Sequence, residues 1–138
     1  MTTPSERRTN IRKQVKDIIS PSLSHMSNCK VFTARGESND LEDFVCVYFD
    51  EGDRFKKHSL VDTEAELVIR LNTKADPRSA DARLDQIASY VELALEANPS
   101  LNGSVFELFN ASFNYADSPS GNYSSLELTY RVQYSDSE

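Results

Sequence analysis

Few residues in this chain are of a type that does chemistry, and their spacing forms no recognised constellation. His25 and His58 are the only histidines. Neither has a partner at metal-ligand spacing. Cys29 and Cys46 lack the close spacing and further ligands of a zinc site. Both fall in expected strands beside apolar neighbours, so they read as buried free thiols, with a disulfide as the lesser alternative. Cys46 and His58 would make a nucleophile and base, yet no third group or helix terminus supports them. Asp50, Glu51 and Asp53 offer oxygens to a divalent cation. The bidentate Glu that completes a calcium loop is missing, so a solvated turn is the expected reading. Glu64 and Glu66 share one face of a strand, which suits an exposed or interfacial acidic face better than an acid and base pair. No G-x-S-x-G, H-E-x-x-H, Walker loop or dinucleotide fingerprint occurs. The expectation is a protein that works by contact, with no catalytic residue, no metal site and no cofactor.

The elements that build such contacts are legible from periodicity. Thr3-Pro4-Ser5-Glu6 is a helix start, with Thr3 as cap and Pro4 at the first position. Ile11, Val15, Ile18 and Ile19 follow as an apolar stripe, and Ser20-Pro21 is expected to stop the helix. After a polar loop, Cys29 to Ala34 reads as a short strand and Arg35 to Glu42 as a loop. Phe44 to Phe49 is an unbroken apolar run, as in a strand covered on both faces. Asp50 to Asp53 reads as a turn and Arg54 to Ser59 as a charged excursion. A strand from about Leu60 to Thr73 follows, with Ala65, Leu67, Ile69 and Leu71 on one face. Asp76-Pro77 opens a second helix whose Leu84, Ile87, Ala88, Val91 and Leu95 recur at helical spacing. Asn98-Pro99 ends it. Val105 to Ala116 is a strand with a phase slip that a bulge or helical turn near Leu108 would reconcile. Asp117 to Asn122 is a hairpin loop. From about Tyr123 to Tyr134, Leu126, Leu128, Tyr130, Val132 and Tyr134 alternate with polar residues.

The order α, β, β, β, α, β, β implies an α+β fold. Its two layers are a mostly antiparallel sheet of about five strands and two helices on one face. Residues 1–138 are expected to form a single domain, with 1–3 and 135–138 frayed. The formal charge of −7 argues against a dedicated nucleic-acid reader. The basic run Arg7, Arg8, Arg12, Lys13 and Lys16 is expected to be the solvated face of the first helix. Without a long apolar run or a signal-peptide pattern, the expectation is a soluble, cytosolic chain with no membrane partner.

Taken together, the helix Ile11 to Ile19, the pair Val31-Phe32, the run Phe44 to Phe49, the segment Glu64 to Arg70 and the terminal string Leu126 to Tyr134 resemble the tail terminator proteins of long-tailed phages. That is the minor tail protein U family of lambda-like phages, and the similarity spans nearly the whole chain. The resemblance implies a structural virion protein at the head-proximal end of the tail, assembled in the bacterial host cytoplasm. It implies a hexameric ring that ends tube polymerisation and offers a surface for head joining. Its implied partners are other copies of itself, the tail tube protein and the head completion or connector protein. DNA passes through without specific binding. The alternatives are another ring-forming head–tail completion (adaptor) protein, a small acidic enzyme such as a hydrolase, for which no convergent titratable group is seen, or a generic peptide-binding module.

On that reading a ring needs two different patches on each subunit. Phe44, Cys46 and Tyr48 are the candidates on the apolar strand, whose second face awaits cover. Glu66, Arg70, Glu127 and Arg131 offer both signs of charge on neighbouring strands; a plain solvated sheet face stands as the other reading. Arg54, Phe55, Lys56 and Lys57 are the candidate docking loop toward tube or head, with an idle mobile loop as its alternative. Asp50, Glu51, Asp53 and Asp117 are the candidate lumen-facing or tube-facing acids. Self-repulsion among acidic copies implies that divalent cations promote assembly.

Overall fold

The computed structural model describes residues 3–26, 29–36, 41–57, 60–118 and 121–135. Its elements are α1 (Pro4–Leu23), β1 (Lys30–Phe32), β2 (Asp43–Lys57), β3 (Leu60–Thr73), α2 (Pro77–Glu96), β4 (Glu107–Asp117) and β5 (Ser124–Ser135). The strands form one sheet in the order β1-β2-β3-β5-β4. β1 runs parallel to β2, and the other pairs are antiparallel. α1 packs on β1 and β2, while α2 packs on β3 and β5. This is the α+β, two-layer arrangement expected from the periodicity.

Register explains the core. Val45 pairs with Leu71 and Leu71 with Leu126; Val47 pairs with Ile69 and Ile69 with Leu128. Successive residues alternate faces, so these rows all point at the helices. They meet Ile11, Val15, Ile19 and Leu23 of α1 and Leu84, Ile87, Val91 and Leu95 of α2, all buried. Each such side chain contributes about 1.5–3 kcal/mol by leaving water.

Both helix starts follow their capping residues. Thr3 accepts from the Glu6 amide at 3.2 Å and Asp76 from the Arg78 amide at 2.9 Å, satisfying amides that a first turn leaves unpaired. The end of α1 differs from expectation. The helix passes through Pro21 to Leu23. Proline removes one amide from an exposed last turn, and the fully buried Leu23 side chain holds that turn on the core. At the other end of the chain, Ser135 closes β5 and pairs with Asp62.

The larger correction concerns residues 50–57. They form no turn and no loop. β2 continues to Lys57, with Arg54, Phe55 and Lys56 opposite Thr63, Asp62 and Val61. A bulge lets Asp50 and Glu51 together face Glu66, and this extra residue breaks the alternation that would have revealed the strand. Gly52 sits where a Cβ would lie 2.8 Å from the Ala65 Cβ. The glycine lets the two strands approach. His58 and Ser59 lie outside the described residues, as do Glu37 to Asp40 and Pro119. The phase slip in β4 is a second bulge, at Ala111, three residues beyond its expected place.

Candidate assembly surfaces

The sheet face away from the helices carries Phe44, Cys46 and Tyr48 of β2 beside Val68 and Arg70 of β3. Sequence reasoning left this apolar strip to be covered by a neighbouring subunit. The chain covers it itself. Leu41 and Tyr123 complete a second small core with Phe44, Cys46, Tyr48 and Val68. Tyr123 stands edge-on to Phe44 at 4.9 Å and donates its hydroxyl to the Leu41 carbonyl at 2.9 Å. Arg70 is buried too. It donates to the Gly36 carbonyl at 2.7 Å and lies over the Tyr48 ring. Phe44, Cys46, Tyr48 and Arg70 therefore leave the set of accessible contact residues. Their β2 run reads as apolar on both faces because it lies between two cores of the same chain.

Along β3 and β5 the rest of that face is polar, with Asn72 and Ser125 buried and the charged rows reaching solvent. Glu66 pairs with Arg131 and Arg70 with Glu127 across β3 and β5, so opposite charges stand directly opposite each other. Arg131 Nε lies 3.4 Å from Glu64 Oε1, with both side chains about half exposed. Glu127 accepts from the Tyr48 hydroxyl at 3.3 Å and from Asn114 Nδ2 at 3.4 Å. Burial first, and the Glu127 charge second, raise the Tyr48 pKa above its ordinary value. Glu66, Glu127 and Arg131 thus keep access to solvent, Glu127 hydrogen-bonded to Tyr48 and Asn114 and Arg131 ion-paired with Glu64.

The expected docking loop is instead the end of the β2–β3 pair, where β5 flanks β3 as far as Asp62. Phe55 is 41% exposed there, and Arg54 and Lys56 are exposed beside it. The Lys57 side chain lies outside the description. Asp50, Glu51 and Asp53 are exposed on β2 beside this end, with Asp50 3.8 Å from Arg35. Asp117 is not near them. Asp53 pairs with Glu64, which pairs with Gln133 and on to Glu107; Asp117 pairs with Ser124, which pairs with Thr73. The two acidic groups occupy opposite ends of the strands, roughly 30 Å apart over about nine residues of rise.

Sequence reasoning missed one surface. β4 is an edge strand with aromatic residues on both faces. Phe113 is 70% exposed and Phe109 58% exposed, and Leu93 of α2 is 64% exposed nearby. The bulge at Ala111 divides them, with Phe113 and Tyr115 on the helix side and Phe109 on the other, opposite Arg131. Acids of α2 border this edge. The Tyr115 hydroxyl donates to Asp85, and Asn110 Nδ2 donates to Glu92 at 2.7 Å. The bond to Asp85 holds the Tyr115 pKa up to about 12, with smaller contributions from burial and from the charges of Asp85, Asp81 and Glu92. Two open clefts of about 230 and 560 Å³ run between α2 and β4, sharing Glu92 and Asn110. The available signal was the string Phe106, Phe109, Phe113, Tyr115, too many large apolar residues for a strand with only one covered face.

Among the described residues no three of His, Cys, Asp and Glu gather as metal ligands. Both cysteines are thiols; burial, ahead of the Asp43 charge, raises Cys29 to about 11. No described helix is long and apolar enough to cross a membrane.

The profile of the phage minor tail protein U family matches residues 6–134. This chain belongs to that family. It is a structural protein of a phage tail. No curated protein matches its sequence. Among solved structures, a chain from the virion of a native gene transfer agent particle is similar, with a TM-score of 0.54, 9% identity and 91% of each chain covered. At that identity the likeness is one of fold. For a minor tail protein U, the surfaces that matter are those that meet other virion proteins. The exposed surfaces open to contact are the charged rows of the sheet, the end of the β2–β3 pair and the aromatic β4 edge.

Proposed function

We propose that this protein terminates the tail. Copies close into a ring, six by the family resemblance, which caps the head-proximal end of the tail tube, halts its growth and presents a surface to the head's connector. The match to the minor tail protein U family over residues 6–134 carries this reading. Residues 1–138 act as one unit in it.

The fold supplies two different ends for the two partners. One end of the strands bears Arg54, Phe55 and Lys56 on the paired β2 and β3, a rigid support. The other bears Asp117 and Ser124, where β4 and β5 meet. A rigid strand pair presents contacts with less ordering cost than a loose loop. Glu66, Glu127 and Arg131 set register where copies or partners meet, because opposite charges decide partner and orientation more than affinity. Six copies at −7 carry roughly −42, so salt and magnesium favour the ring by screening self-repulsion. The same charge keeps DNA sliding through rather than sticking.

Purified tube subunits elongating in the presence of this protein test the reading. Elongation stops as the protein is titrated in, and the stopped ends no longer accept subunits. Unchanged growth at a molar excess overturns it. Binding to isolated connectors but not to tubes assigns the protein to head-side adaptors instead.

A further inference from the structure

The two flanks of this molecule differ in charge. α1 carries Arg7, Arg8, Arg12, Lys13 and Lys16 against Glu6 and Asp17, a net of +3. α2 and β4 carry Asp81, Asp85, Glu92, Glu96, Glu107 and Asp117 against Arg78 and Arg83, a net of −4. The basic flank lies over β1 and β2; the acidic flank ends at β4. Four strand-to-strand steps separate the two edges, roughly 19 Å at about 4.8 Å each. In a chain whose overall charge is −7, a cationic helix at one edge and an anionic margin at the other is a polarised layout.

The acidic margin also holds the exposed apolar surface. Phe109, Phe113 and Leu93 sit along β4 and α2, each more than half exposed. The outer edge of β4 has no strand beside it among the described residues. A long apolar edge strand is a template for another chain unless something covers it, and aromatic anchors ringed by charge are the usual make-up of a protein contact. Under α1, Arg8 and Arg12 line an open cleft of about 370 Å³ with Phe49, Asp50, Glu51 and Arg54 of β2, which reaches Tyr134 of β5. Its α1 side offers the cations Arg8 and Arg12 beside Phe49, while Asp50 and Glu51 stand on its β2 side.

We infer that the β4 edge of one copy, with Phe109, Phe113 and the α2 acids, docks against the α1–β2 flank of the next copy, with Arg8 and Arg12. The inference rests on the ring reading above and deepens it by naming the two surfaces that meet. Each copy then uses a different patch on each side, so the contact is head-to-tail, the type that forms a ring when the rotation between copies closes. Complementary charge selects this mating over β4 against β4, where acid would face acid.

Two double variants test it, F109D/F113D on the β4 edge and R8E/R12E on α1. All four positions lie outside the fully buried core, and circular dichroism with thermal melting verifies that both variants keep the fold. Sedimentation in magnesium reads assembly. The wild type forms closed rings. Each variant alone loses self-association by at least tenfold, and an equimolar mixture gives a dimer and nothing larger, because one sound interface survives between the two. Rings from either variant alone overturn the inference while leaving the ring reading intact. Dimers of R8E/R12E alone mean β4 pairs with itself, which also overturns it. A wild type that never self-associates removes both.

Discussion

At the residue scale, three positions show how the fold answers local demands. Gly52 stands where β2 bulges against Ala65, and a methyl group there would meet the Ala65 Cβ at 2.8 Å. Gly52→Ala is expected to cost about 1–3 kcal/mol by forcing the strands apart, seen as a lower urea midpoint with an unchanged slope. Asp43 is buried at the start of β2. It accepts from Arg83 Nη2 at 2.6 Å, from Arg83 Nε at 3.2 Å and from Thr73 Oγ1 at 2.6 Å. Asp43→Ala leaves Thr73 and a partly buried guanidinium without their acceptor, and is expected to lose about 2–4 kcal/mol. Tyr115 gives a pH signature. Its bond to Asp85 favours the neutral phenol, and its pKa is up to about 12. The folded pKa exceeds the unfolded one, so the stabilisation is complete below the unfolded pKa, near 10. It falls away as pH rises toward about 12. Ultraviolet titration of Asp85→Asn should show one tyrosine ionising nearer pH 10; an unchanged titration contradicts the bond.

At the element scale, the helices were the most legible parts of the chain. Their caps, Thr3 and Asp76, and their stripes, Ile11 to Ile19 and Leu84 to Leu95, act within one element, where periodicity reports burial directly. The end of α1 was less legible, because proline propensity is local whereas Leu23 is held by tertiary burial. β2 shows the same limit. Phe44 to Phe49 reads as buried on both faces and is, but what covers it depends on Leu41 and Tyr123, distant in sequence. Polar residues 50–57 resemble a turn because one extra residue shifts their phase. For β4, the exposure of Phe113 gives a clean prediction. Phe113→Asp should leave the unfolding free energy of the isolated chain in urea within about 0.5 kcal/mol of the wild type, as at other surface positions. Leu67→Ala, fully buried in β3, should cost about 2–5 kcal/mol. If Phe113→Asp proves as damaging as Leu67→Ala, β4 packs more tightly than its exposure indicates.

At the scale of the whole molecule, the fold and family are carried by the order of elements and by the last strand, both present in the sequence. The assembly surfaces are carried by topology, which no local pattern encodes. Nothing near Asp117 announces that it lies at the far end of the sheet from Asp53, and nothing near Phe113 announces that β4 is an edge. The resulting body is a five-stranded sheet with charged rows and a small second core on its outer face, and two flanks of opposite charge. Such a body suits a structural tail protein, whose work is done by what it touches. The most direct measurement is electron microscopy of tail tubes mixed with the labelled protein. The account predicts label at one end of each tube only, as a closed ring, with those ends inert to further tube subunits. Label scattered along the tube walls, or bare ends that keep growing, would contradict it.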